Sequence, residues 1–400
     1  MRLVSTSSLI DDGPPMRVHF AVHHHRDRAA GASGATLALG DALELLGCQV
    51  SYFFFDDAFR EARLSEIQRM LRFPWRVARH LATVAKTADI VDATTGDAWV
   101  WCRRGRPGGN GTTLVTRAHG LEHVSAVDLR QRAMSGQATL SWKYSLYHGG
   151  FRLWEVRQSM AWADGRVFLN SPDREYAGSR LGIPQDGSVV LPNGVPALLL
   201  GRARVTPDMA ASSPIALAFV GSWIPRKGTG AIVEMASVLH ARGRSFSLRL
   251  LGTGMDVMSV MEQFAADVRP FVTVTPSYTV EQLAPLLHGA TVLLHPSWTE
   301  GFSLALVEGM ACGLAPVASR SGGATDVVID GETGLLLTDV SGASLADAVM
   351  RLSSDREMLS RLCNAAQARV QQLDWRTIAR KTIEFYRATI HRRAAGGTGR

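Results

Sequence analysis

Glu300 and Glu308, eight residues apart, are the side chains of this 400-residue sequence whose surroundings are best suited to chemistry. Both lie in Pro296–Leu337, PSWTEGFSLALVEGMACGLAPVASRSGGATDVVIDGETGLLL. Ser303 is placed to cap a helix running to about Ala311, Gly313 to end it, and Pro316 to open the next strand. The unpaired amides at the start of such a helix, at the carboxyl edge of a sheet, seat a phosphate. A glutamate farther along repels phosphate but accepts two hydroxyl hydrogen bonds from a ribose. On one continuous helix the two carboxylates would stand about 12 Å apart at ~1.5 Å per residue. Carboxyl pairs that hydrolyse glycosides stand ~5 Å or ~6.5–9.5 Å apart, so the spacing leans away from hydrolysis. The bland alternative is two solvated glutamates on a helix face, and the Gly/Pro punctuation around them speaks against it.

The elements that must hold this block follow a repeated grammar. Arg17–Val22 alternates like a strand, Arg26–Gly34 is a glycine-containing loop, Leu37, Leu39, Leu43 and Leu46 recur at helical spacing up to Gly47, and Val50–Phe55 reads as the next strand. The pattern restarts with a strand at Ile215–Val220, a loop at Gly221–Gly230 and a helix at Ala231–His240. A strand at Ser247–Leu251 leads into Gly252 and Gly254. A helix over Val257–Ala266, a strand at Val272–Val274, a helix at Val280–His288 and a strand at Val292–His295 follow. Strand–loop–helix–strand units predict parallel sheets with their loops at the carboxyl edges. The fold class expected is therefore α/β, with two Rossmann-like doubly wound domains facing across a cleft. The divisions read as a loose leader at 1–15, a first domain at 16–195, a Pro/Gly/Ala linker at 196–213 and a second domain at 214–374. A final helix within 375–400 is expected to pack back on the first domain.

The Pro296–Leu337 block resembles that of glycosyltransferase family 4, whose members have the GT-B fold and retain the anomeric configuration. Ser303 stands where the family has glycine and Gly309 where it has alanine. The resemblance implies that Glu300 contacts the donor sugar, Glu308 the ribose, and the backbone of Gly301, Phe302, Ser303 and Leu304 the sugar and diphosphate. Val220–Gly228 resembles the family's first donor-domain loop. There Gly221 lines the nucleotide, Lys227 matches the diphosphate-binding lysine, and Ser222 replaces the usual arginine, leaving Arg226 as its substitute. On an extended loop, however, neighbouring side chains point apart. Gly252 and Gly254 match a further nucleotide-lining pair, and Leu191–Val195 matches the PNGV at the end of the first domain. His119 matches a histidine that faces the donor sugar. Gly31 is the one glycine kept of a Gly-Gly pair near the diphosphate or acceptor. By this resemblance Glu300, Lys227, His119 and Arg226 carry the catalysis. No cofactor is implied beyond a nucleotide-diphosphate sugar as co-substrate, and no metal, since cationic side chains and a helix N-terminus stabilise the leaving group.

Composition bounds the rest. Cys48, Cys102, Cys312 and Cys363 are widely spaced without a CxxC pair, which suits a reducing compartment better than a disulfide framework. His23, His24 and His25 invite a metal reading, but adjacent side chains at a strand end alternate sides. The net charge of +7 is arginine-borne, with only Lys86, Lys143, Lys227 and Lys381 as lysines. Such a surface suits anionic partners, while no Cys/His finger or aromatic RNA-binding signature supports a nucleic-acid partner. Arg60–Arg72 places Leu64, Ile67, Met70 and Leu71 on one helical face among Arg60, Arg63, Arg69 and Arg72, with Trp75, Arg76 and Arg79 following. This raises an anionic membrane surface beside a glycan or lipid-linked acceptor, against the simpler reading of a solvated helix packed on the sheet. Ser141–Trp162 is a second basic, aromatic stretch that suits the wall of an acceptor cleft. The expected place is the cytoplasm, with a peripheral position on the inner membrane face where the acceptor is lipid-linked. Two other functions stay open at this level: a GT-B nucleotide-sugar epimerase, and a non-catalytic GT-B scaffold that binds nucleotide.

Overall fold

The computed structural model describes residues 14–60, 64–201 and 214–396. Most of the leader, most of the linker and Arg63 lie outside them. Two six-stranded sheets, parallel throughout, organise the chain. The first contains β1 (Arg17–Ala21), β2 (Gln49–Phe53), β3 (Ile90–Thr94), β4 (Thr113–Ala118), β5 (Gly165–Phe168) and β6 (Ser188–Val190), in the order β2-β1-β3-β4-β5-β6. The second contains β7 (Ile215–Val220), β8 (Phe246–Leu251), β9 (Val272–Thr275), β10 (Val292–His295), β11 (Ala315–Ser319) and β12 (Leu335–Leu337), in the order β12-β11-β10-β7-β8-β9. Apolar runs such as IALAFV and VLLH are buried on both faces because helices cover both sides of a parallel sheet.

Strand order decides where ligands can sit. In the second sheet the winding reverses between β7 and β10, where Leu217 is in register with Val292 and Phe219 with Leu294. Loops leaving two such strands diverge and open a crevice at their carboxyl ends. The first sheet reverses between β1 and β3, with Ala21 opposite Ala93.

The linker's first residues are more ordered than its composition suggested. Ala197–Leu199 forms a 3-10 turn, and Leu199 is buried in the second domain's core. The chain passes between the domains twice, side by side: the Val195 amide donates to Leu373 O at 2.6 Å, and a Cβ on Gly194 would meet the Trp375 ring at 2.5 Å. The helix Trp375–Gly396 then lies against the helix Gly31–Leu45, and Tyr386 is buried in the first domain's core.

Some sequence expectations need correcting. The second strand ends at Phe53, because the Asp57 carboxylate accepts the Phe54 amide at 2.8 Å and starts the helical turn Phe55–Ala58. The helix expected over Val257–Ala266 stops at Met261, after which the chain turns to bury Phe264 in the core. The single apolar face proposed for Arg60–Arg72 is divided. The helix is Glu66–Val84; Leu64 and Met70 pack on the core, whereas Ile67, Leu71 and Trp75 are exposed. Among the described residues no helix is long and apolar enough to cross a membrane, and no group of three or more His, Cys, Asp or Glu is placed to hold a metal ion. None of the four cysteines is in a disulfide.

Candidate functional site

The crevice of the second sheet gathers most of the residues singled out above. After β7, Gly221 takes φ +138°, and Pro225–Lys227 closes a 3-10 turn ending on Gly228 at φ +74°. A Cβ on Gly228 would stand 2.1 Å from the Pro296 carbonyl, so glycine lets this loop press against the one after β10. The turn replaces the extended loop expected from the sequence, and neighbouring cations converge instead of diverging. Lys227 Nζ lies 2.5 Å from Glu300 Oε1, and Arg226 Nη1 lies 3.6 Å from the same oxygen while donating to the Thr299 carbonyl at 2.9 Å.

Burial alone would push the Glu300 carboxyl up. Lys227, His295 and Arg226 outweigh it and hold the group below its ordinary value, so it is a carboxylate. Among the described residues Glu308 has no such neighbour, and burial raises it to about 7. It sits in the helix Leu304–Ala311, whose N-cap Ser303 accepts the Leu306 amide at 3.4 Å. Tyr278 is close enough to Glu308 for the carboxylate to add to the upward push of burial on its phenol. The Tyr278 ring also covers Gly252, where a Cβ would approach it to 2.8 Å; Gly252 and Gly254 turn at φ +72° and +67°. Buried His295 is pushed down to about 4 by burial, with Glu300 opposing and Lys227 assisting, and among the described residues its Nε2, like Ser297 Oγ and Ser321 Oγ, has no hydrogen-bond partner.

The first domain meets this crevice at its own carboxyl edge. A Cβ on Gly301 would lie 2.1 Å from the His119 carbonyl and 2.5 Å from Gly120 Cα, so two glycines permit backbone-to-backbone contact across the domains. Asn170 spans the same junction. It caps the helix Ser171–Leu181, donates to Asp173 at 2.9 Å and donates to the Gly301 carbonyl at 2.6 Å. Asp173 in turn accepts the Leu121 amide at 2.8 Å. The ring of His119 has Nε2 at 3.4 Å from Thr36 Oγ1, with Nδ1 buried and unpartnered. Burial, then Arg117, His24 and His23, keep it well below the ordinary histidine value, so it is neutral.

The three adjacent histidines separate. His23 pairs with Asp97 at 2.9 Å across the first sheet's reversal point, and His25 pairs with exposed Asp56 at 2.6 Å. His24 stays near the His23 ring, at 4.6 Å between centroids. Gly31 opens the helix Gly31–Leu45 with nothing within 4 Å of a Cβ position; the crowded glycine of that loop is Gly34, against Arg28 O. Sequence reasoning passed over Asn170, Tyr278, Glu122 and Arg152. Asn-Ser-Pro at 170–172 does signal a helix start, but its bond to a residue 131 positions away leaves no local trace.

Residues 214–355 match the family model described as glycosyl transferases group 1. Over 261 residues the chain is 30% identical to a D-inositol 3-phosphate glycosyltransferase of Nocardia farcinica, covering 61% of this chain and 58% of that protein, less than two thirds of its length. It is 28% identical over 298 residues to an alpha-maltose-1-phosphate synthase of Mycolicibacterium smegmatis, covering 68% of this chain and 75% of the synthase. Among solved structures it is similar to sucrose-phosphate synthase of Thermosynechococcus elongatus, with TM-score 0.71, 23% identity, and 93% and 98% of the two chains covered. It is also similar to Anabaena Alr3699/HepE in complex with UDP, with TM-score 0.64, 18% identity, and 93% and 100% covered. These likenesses show the fold: two Rossmann-like domains in the GT-B arrangement.

Proposed function

We propose, from a chain that belongs to the family 4 type of GT-B glycosyltransferases, that it moves a sugar from a nucleoside diphosphate to an acceptor hydroxyl with retention and without a metal ion. The observation that carries this reading is the convergence of Lys227, Arg226 and Glu300 at the β7/β10 reversal point, beside the N-terminus of the Leu304–Ala311 helix. In the reaction the bond from C1 to the phosphate oxygen breaks, the acceptor oxygen bonds to C1 on the same face, and the hydroxyl proton passes to the departing phosphate. Charge then grows on the diphosphate. Lys227, Arg226 and the helix amides are set to meet it, in a site whose groups need little rearrangement. Glu300 holds the two cations in place and, as a carboxylate, takes hydrogen bonds from the donor sugar's hydroxyls. Glu308 takes the ribose hydroxyls, and His119, neutral, faces the sugar from the first domain. UDP accompanies the structural neighbour Alr3699/HepE, which makes uridine the first base to try.

Exposed Ile67, Leu71 and Trp75, four residues apart along one helix beside Arg72, Arg76 and Arg79, support docking on an anionic membrane that carries a lipid-linked acceptor. Flotation with and without anionic lipid checks this part, and the lack of salt-sensitive binding removes it.

The test of the reaction is release of nucleoside diphosphate from UDP-, GDP- and ADP-sugars upon addition of glycan, with proton NMR of the product. Retention gives the donor's anomeric coupling, and EDTA leaves the rate unchanged. An inverted product or an EDTA-sensitive rate contradicts the reading.

A further inference from the structure

Between the domains, next to the crevice, lies a cavity of about 290 Å³ lined by Glu122, Asp128, Tyr144, Arg152, Arg226 and Trp298 among others. It falls just below the ~300–1,000 Å³ usual for small-molecule sites, room for a sugar ring. Arg226 belongs to both the cavity and the pair with Glu300, so the two spaces adjoin.

The aromatic rings are fixed before any ligand arrives. The guanidinium of Arg132, from the first domain, stacks 4.4 Å from the centre of the Trp298 ring, and the Trp298 amide donates to Arg226 O at 2.8 Å. Tyr144 rests where Gly149 has no side chain; a Cβ there would stand 2.6 Å from the ring. Gly149 lies in the π-helical turn Tyr147–Phe151, which interrupts the regular helix within the 141–162 stretch.

The charges around the cavity are mostly committed. Arg152 is 3% exposed, donates to the Thr95 carbonyl at 2.7 Å, and has Glu122, Glu155 and Asp97 at 3.4, 3.6 and 3.9 Å. Asp128 accepts Arg132 at 3.1 Å. Glu122 is the acceptor with capacity left. Its oxygens receive Thr95 Oγ1 at 3.3 and 3.4 Å and Arg152 Nη2 at 3.4 Å, all long contacts, whereas a carboxylate can take about four. A second anion brought here would meet Glu122 and Asp128, while Arg152 faces three carboxylates and Arg226, the cation shared with the crevice, is turned to Glu300 and the Thr299 carbonyl. A hydroxyl-bearing ring would lay its apolar C–H face on the aromatics and donate to Glu122.

We propose that this cavity is the acceptor subsite and that it takes a neutral sugar ring in place of a phosphorylated one, with Glu122 accepting an acceptor hydroxyl and Trp298 and Tyr144 forming the platform. This rests on the transferase reading above. It also separates the chain from relatives whose names carry phosphorylated compounds.

The experiment compares neutral alkyl hexosides with the corresponding hexose 6-phosphates as acceptors, using whichever nucleotide sugar supports turnover. Nucleoside diphosphate affinity is measured in parallel. Neutral glycosides are used and the 6-phosphates are not. Glu122→Gln and Trp298→Ala each raise acceptor KM about tenfold or more, the scale of a hydrogen bond to a charged group, with nucleotide affinity unchanged. Preference for the 6-phosphates, no transfer to any neutral glycoside while nucleotide binds, or an acceptor KM unmoved in both variants overturns the subsite alone. Failure of the unmodified chain to bind any nucleoside diphosphate overturns the transferase reading and the subsite together.

Discussion

Burial acts on Glu300 and Glu308 alike, and their neighbours send them opposite ways. Lys227, His295 and Arg226 keep Glu300 ionised, whereas Glu308, with burial as its one cause, rises from 4.5 to about 7. Because the folded value of Glu308 is the higher one, its contribution to stability is complete below about 4.5 and is lost as pH rises through about 7. In the proposed role Glu308 accepts ribose hydroxyls as a carboxylate, so nucleotide binding would draw the proton off. Affinity for the nucleoside diphosphate should rise about tenfold from pH 6 to pH 8, as a single group titrating near 7 requires. Titration calorimetry at several pH values checks this, and Glu308→Gln should flatten the profile. Both glutamates, Lys227 and Ser303 were legible in the sequence because the block's Gly/Pro punctuation fixes strand, loop and helix locally. The state of each carboxyl was not, since it depends on Lys227, 73 residues from Glu300, and on the absence of an equivalent cation at Glu308.

At the scale of elements, two loops meet through glycines. Gly301 begins the approach to the Leu304–Ala311 helix, and Gly120 follows β4; a Cβ on Gly301 would stand 2.1 Å from His119 O and force the loops apart, whereas one on Gly120 would stand 3.1 Å from Gly301 Cα. Gly301→Ala should therefore displace the first domain's edge from the donor crevice while leaving Lys227 and Glu308 in place. Misplacement by ~1 Å costs about a hundredfold in rate, so kcat should fall by that order and by more than nucleotide affinity does. Steady-state kinetics beside a binding measurement separate the two, and equal losses in both would contradict the account. Most strands and helices of the second domain could be read from apolar runs and turn residues. The extended reading of Arg226–Lys227 failed because the Gly228–Pro296 contact, which bends that loop into a 3-10 turn, joins residues distant in sequence. The apolar face given to Arg60–Arg72 failed similarly. Periodicity finds apolar positions, but the core took Leu64 and Met70 and left Ile67 and Leu71 outside.

Across the whole molecule, the last helix returns from the second domain to lock onto the first. Tyr386 donates to Asp92 at 2.6 Å, and Asp92 also accepts Arg117 at 2.8 and 3.1 Å, all of them buried. Removing the hydroxyl from a charged partner costs about 1.5–3 kcal/mol, so Tyr386→Phe should lower the first domain's unfolding free energy, read from denaturant titration, by that amount, with nucleotide affinity intact. The helix and its return to the first domain were expected from the sequence, but its docking partner Asp92 stands 294 residues away, beyond any local signal. The central claim is that the β7/β10 crevice holds a nucleoside diphosphate. Titration calorimetry with UDP, GDP, ADP and dTDP tests it most directly. The account predicts saturable one-to-one binding of at least one of them without divalent metal, weakened more than tenfold in both Lys227→Ala and Glu308→Ala, the scale of hydrogen bonds to charged groups. Binding of none at millimolar concentration, or binding indifferent to both substitutions, would contradict it.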